Sequence, residues 1–171
     1  MLRFGWTTIT LLCLATASCM AQGPPAAETP MVEATVLDEG SACFGPETDS
    51  RAVWIDNRRD LAEFYDRLRR GVLGQISPPL PEIDFNRWGA LLVSMGQQPT
   101  SGYRLTLIGP AATVRANTAV VRIACHRPPP DLLVTQVVTC PWLLIRLARN
   151  GYTHIAIRDQ DGDPLARIRV N

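Results

Sequence analysis

Apolar and polar residues alternate with a two-residue period through most of this chain, and a helical period replaces it once. Met31 to Leu37 carries β-favouring Val32, Thr35 and Val36 before Asp38-Glu39-Gly40 interrupts it, which predicts an edge strand. Arg51 to Ile55 is a second short strand. Asp56 or Asn57 then offers a helix cap, and Leu61, Phe64, Tyr65, Leu68 and Val72 follow the i, i+3, i+4, i+7 spacing until Gly71 or Gly74 ends the run. Arg and Asp residues fill the opposite, solvated face of that helix.

Beyond a Pro-rich loop from Gln75 to Glu82, Trp88 to Met95 forms a strong strand whose fully apolar centre is the mark of a strand covered on both faces. Tyr103 to Ile108, Thr113-Val114 and Ala119 to Cys125 continue the strand pattern, and Pro128-Pro129-Pro130-Asp131 forces a turn. Leu133 to Val138 and Trp142 to Leu147 are further strands, separated by Cys140-Pro141, where a residue without an amide proton breaks a ladder. Thr153 to Arg158 and Leu165 to Val170 flank Asp161-Gly162, a strong hairpin signal. The expected fold is therefore mainly β within the α+β class: a β-sandwich or rolled antiparallel sheet with one amphipathic helix packed on it.

The chain has 171 residues, enough for one hydrophobic core once a targeting segment is set aside. Arg3, an apolar run from Thr7 to Ala17 and small residues before Cys19 read as a secretory signal over residues 1–18, too short to stay in a bilayer as a helix. Thr16-Ala17-Ser18-Cys19 is similar to the lipobox of bacterial lipoproteins, in which the cysteine is lipidated; ordinary cleavage after Ala17 or Ala21 is the alternative. Residues 19–30 would then hold the anchor and a Pro/Ala-rich tether, leaving residues 31–171 as the β-rich domain. The expected location is outside the cytoplasm, in the periplasm or at the cell surface, with the membrane reached through lipid at Cys19. A net charge of +1 gives no footprint for nucleic acid.

Cys43, Cys125 and Cys140 remain for the folded part, and three bridges are conceivable. A hairpin turning near Pro129 puts Cys125 and Cys140 out of register, which favours Cys43 with Cys125 or with Cys140; buried free thiols stay open as well. Cys125-His126 invites a thiolate-imidazole reading, but neighbours in a strand point to opposite faces. His154 is the only other histidine, too little for a zinc site. Asp159, Asp161 and Asp163 surround Gly162 without the ligand order of a calcium loop, so a solvated turn is expected. No serine lies in a Gly-x-Ser-x-Gly setting. The expectation is a protein without catalysis, metal or cofactor.

Met95 to Tyr103 stands out: two glycines, a proline and two hydroxyl residues between apolar strands build a connection of specified backbone angles. It reads either as a plain hairpin loop in which Gly102 supplies a positive φ, or as a rigid loop presenting Gln98, Thr100 and Tyr103 to a partner beside Trp142.

The order Ser50 to Ile55, helix, Ile83-Asp84-Phe85, apolar strand, Gly96-Gln97-Gln98-Pro99-Thr100-Ser101-Gly102-Tyr103 and Gln136-Val137-Val138-Thr139-Cys140-Pro141-Trp142 resembles the PrcB C-terminal domain family across residues 50 to 147. That family's pattern has Asp-Phe before a strand, a Gly-x-x-Pro-Thr-Gly-Gly-Tyr loop and a late Gln-x-x-Thr-x-Pro followed by an aromatic. Ser101 replaces a glycine, and Trp142 stands where Tyr is usual. The family is named for an accessory lipoprotein subunit of a cell-surface protease, so the resemblance implies another envelope protein, a protease, as partner to be escorted or stabilised. The partner-binding candidates are Gln98, Pro99, Thr100, Ser101, Gly102, Tyr103, Pro141 and Trp142. The Pro-Thr-Ser-Gly loop and the Pro-Trp pair are also distantly similar to chagasin-type inhibitors, with Gln98 in place of an asparagine and Cys140 in place of an arginine. That similarity implies direct protease inhibition as an alternative; a structural envelope lipoprotein is the third reading.

Overall fold

Each run of alternating residues must bury one face, and two runs here bury both. The computed structural model describes residues 29–43, 51–71 and 79–170; the signal segment, Cys19, nearly all of the tether, Val72 and Gly74 lie outside them. Among the described residues the chain forms β1 (Met31–Gly40), β2 (Arg51–Ile55), α1 (Arg58–Gly71), β3 (Trp88–Ser94), β4 (Arg104–Leu107), β5 (Ala111–Arg115), β6 (Thr118–His126), β7 (Trp142–Ala148), β8 (His154–Arg158) and β9 (Pro164–Arg169).

The strands form one sheet in the order β2-β3-β7-β1-β5-β6-β8-β9, with β4 set end to end with β5 along the same edge of β6. The sheet rolls until its terminal strands β2 and β9 approach each other, although no ladder joins them. This is the rolled form of the expected β-rich fold. Inside the roll, Leu91 and Val93 of β3, Leu143, Ile145 and Leu147 of β7, Val121 and Ile123 of β6 and Ile155 and Ile157 of β8 make one core. Ala90, Leu92 and Leu144 point outward from the same strands and are covered by Leu61, Phe64, Tyr65 and Leu68 of α1. That second layer explains the uninterrupted apolar run of β3.

Asn57 is the helix cap: its Oδ1 accepts the Asp60 N–H at 2.9 Å. Asp60 in the first turn and Arg69 and Arg70 in the last agree with the helix dipole. At its inner face, the Tyr65 hydroxyl donates to Asp38 Oδ2 at 2.8 Å and ties α1 to β1.

Three expectations need correction. The strand at Met31 lies between β7 and β5 and is no edge. A register shift between Val36 and Asp38 lets the polar Asp38-Glu39-Gly40 stretch continue the ladder instead of ending it. Second, β6 and β8 pair in parallel, because β7 intervenes on the far side of the roll. Third, residues 133–138 form no strand. Three prolines precede them without amide protons, and the Val137 N–H turns back to Thr135 O at 2.9 Å, so the segment joins no continuous ladder.

Cys43 bonds to Cys140 with Cα atoms 4.8 Å apart, and Cys125 is a free thiol. Asp159 organises the last hairpin: its Oδ1 accepts the N–H groups of Asp161 and Asp163 at 3.0 and 2.8 Å.

Candidate functional site

Two loops meet at the end of the roll where β3 stops and β7 begins. The backbone of β3 is carried past Ser94 by a bond from Met95 N–H to Pro141 O at 2.9 Å, and Gly96 then turns the chain with φ 71°. Gln98 exchanges both backbone bonds with Thr139, at 2.7 and 3.0 Å, while its side-chain amide donates back to Met95 O at 3.0 Å. The Thr139 hydroxyl donates to Thr100 O at 2.8 Å. Ser101 N–H donates to Thr135 O at 3.0 Å, and Thr135 N–H donates to Ser101 Oγ at 3.1 Å. Cys140 N–H reaches Ser41 O at 2.8 Å beside the Cys43–Cys140 disulfide. Residues 95–103 and 134–140 are thereby laced into one platform whose loops have few free conformations left.

Gly102 holds the tightest point. Its φ is 92°, and a Cβ there would sit 3.0 Å from Pro128 Cβ and 3.4 Å from Val134 Cγ1. Glycine supplies both the backbone angle and the space.

The platform does not present the residues named from the sequence in equal measure. Pro99 and Gly102 are exposed at the surface, and Gln98, Thr100, Ser101 and Tyr103 are half-buried, with Gln98 and Ser101 committed to the loop-loop bonds. Pro141 and Trp142 are buried. Trp142 is only 4% exposed and packs edge-on against Phe64, ring centroids 5.3 Å apart. As a presented aromatic, Trp142 is therefore a correction. It is the first residue of β7, and the strand's register turns it under α1. It also borders the shallow groove between Glu39, Tyr103 and Arg104.

What the surface presents instead is aliphatic. Leu132, Leu133, Val137 and Val138 are exposed, Leu133 at 99% and Val138 at 58%. Asp131 is the sole charge from Pro128 to Ile145. Four large apolar side chains thus stand exposed within seven residues of one tethered loop. The sequence carried a signal for them, a charge-free β-favouring run after a triple proline, but that composition also fits a paired strand.

The neighbouring Cys125 and His126 of β6 are held apart. Burial and the Asp159 carboxylate push the Cys125 thiol above its usual range, against an opposite pull from Arg127. Cys125 packs toward the core, whereas His126 is exposed on the other face and bonds Thr106 Oγ1 at 2.8 Å. The described residues contain no group of three or more His, Cys, Asp or Glu placed to hold a metal ion.

No curated protein and no solved structure matches the chain. The similarity to chagasin-type inhibitors thus rests on loop residues alone, and the burial of Trp142 removes one feature behind it. A family model described as PrcB C-terminal matches residues 90–148, the span from β3 to the end of β7 that contains both loops of the platform. β2 and α1, which entered the resemblance from the sequence, lie outside the matched span. Over residues 90–148 the chain is similar to the PrcB C-terminal family.

Proposed function

We propose that this protein is a non-catalytic binding module of the cell envelope that acts as an accessory or stabilising partner of a protease, docking it through the loop platform. The observation that carries this reading is the exposed aliphatic set Leu132, Leu133, Val137 and Val138 on a loop fixed by backbone bonds to residues 98–101. A surface ordered before binding loses little entropy on association, and aliphatic burial then supplies affinity. The family match supports a protease complex as the setting. Export and lipidation at Cys19 belong to the same reading, on the strength of the apolar segment and lipobox-like residues at the N-terminus.

The test is capture of a peptidase from a detergent extract of the native envelope by the full chain, compared with the Leu133→Asp/Val138→Asp variant. Burying one such side chain is worth about 1.5–3 kcal/mol, so the variant should lose at least about tenfold in affinity. Both positions are exposed, so its melting temperature should stay within about 2 °C of the parent. Activity retained by the captured peptidase supports escort, and stoichiometric loss of activity supports the inhibitor reading. Equal capture by the variant would reject the platform as the docking surface.

A further inference from the structure

A second site lies at the mouth of the roll, where the unpaired edge strands β2 and β9 come together. A cavity of about 500 Å³ opens there, within the range of small-molecule sites and at a position where β-barrels commonly bind them. Its apolar wall is Val93 of β3, Leu105 of β4 and Leu165 of β9, and Leu165 remains 42% exposed because nothing among the described residues covers it. Cys125 lies in the same wall with its thiol free.

The polar rim is asymmetric in what it leaves unsatisfied. Asp159 already accepts two backbone N–H groups, and Asp161 accepts the Gln160 side-chain amide at 3.1 Å. Arg127, on the opposite rim, makes no hydrogen bond or ion pair with the described residues. Arg51 lines the same cavity but already has an interaction of its own, whereas the Arg127 guanidinium, at the edge of a cavity lined by apolar and polar groups alike, can take a carboxylate through two parallel bonds.

The geometry points to a binding site for an aliphatic chain ending in a carboxylate, with the chain against Val93, Leu105 and Leu165 and the carboxylate on Arg127. A peptide C-terminus with an apolar last residue and a medium-chain fatty acid both offer that chemistry. Met95 and Gln98 of the platform border this mouth site, but none of its lining lies on the exposed loop at residues 132–138, so each surface is tested by its own variant.

Cys125 provides the reporter. Alkylation of the full chain is followed by mass spectrometry of the Cys125 peptide, with octanoate, with N-acetyl-Ala-Leu bearing a free carboxylate, and with the amide of each. A carboxylate should slow alkylation in proportion to occupancy, about tenfold at ten times its Kd, and the matching amide should not. Arg127→Gln should abolish the protection without changing the melting temperature, because Arg127 is exposed and makes no side-chain bond with the described residues. Protection by the peptide acid alone or by octanoate alone assigns the source while supporting the site. Unchanged alkylation with both acids, equal protection by the amides, or protection that survives in R127Q would overturn it.

Discussion

Gly102 and Gly109 separate two reasons for a glycine. Both have positive φ, 92° and 81°, but a Cβ at Gly109 meets nothing within 4 Å, whereas one at Gly102 presses on Pro128 and Val134. Gly109→Ala should cost about 1 kcal/mol from the backbone angle, and Gly102→Ala about 2–3 kcal/mol once the contact is added. Urea unfolding of the two variants checks the order; equal costs would mean that Pro128 moves aside freely. Tyr152 gives a second residue-level expectation. Its hydroxyl is buried with no hydrogen-bond partner among the described residues, and burial pushes its pKa up to about 12, against an opposing pull from Arg149. Between the unfolded value near 10 and the folded value, the unfolded chain loses a proton that the native state keeps. Its contribution to stability is therefore complete below about pH 10 and is lost as pH rises toward about 12. Tyr152→Phe should leave stability at pH 8 unchanged or slightly higher, since an unpartnered buried hydroxyl is removed, and should reduce the fall in the urea midpoint between pH 8 and pH 11. A marked loss of stability at pH 8 would show that the hydroxyl has a partner after all.

At the scale of elements, the disulfide is the fastening of the platform. Cys43 and Cys140 are separated by 97 residues, and the bond holds the end of the aliphatic loop beside β1. Replacing both by Ser should cost about 4 kcal/mol and raise amide exchange at Thr139 and Cys140, because the covalent limit on that long loop is gone. Exchange unchanged in the double variant would place the fastening in the Gln98–Thr139 bonds instead. The same elements show which parts of the fold were legible in the sequence. The positions of β2, α1, β3, β6, β7 and the last hairpin follow from local period and turn chemistry, which each segment carries by itself. The placement of β1 at the centre, the parallel pairing of β6 with β8 and the lack of a strand at residues 133–138 depend on which neighbour comes alongside. Val137 and Val138 have the same β-favouring chemistry paired or unpaired, and only a distant strand could decide between them. Within the site, Gly96, Gln98 and Gly102 announced a specified loop through their turn chemistry. Trp142 did not announce its direction, because the register of β7 sets it.

At the scale of the whole molecule, rolling the sheet solves one problem and leaves another. Nearly closing it protects most backbone edges, and α1 covers the outer face of β3 and β7. Among the described residues, the loop from Leu132 to Val138 at one end and the cavity between β2 and β9 remain uncovered. On the proposed docking role, the ordered aliphatic loop outside a well-packed interior is the surface a partner would cover. The most direct measurement is site-specific photocross-linking in intact cells, with the cross-linking residue at Leu133 and, as a control, at Val53 on the exposed face of β2. The expected result is one discrete adduct at Leu133 whose mass and peptides identify an envelope peptidase, with no such adduct at Val53. A Leu133 adduct with no peptidase in it, no adduct at all, or the same adducts at both positions would contradict the docking role of the platform.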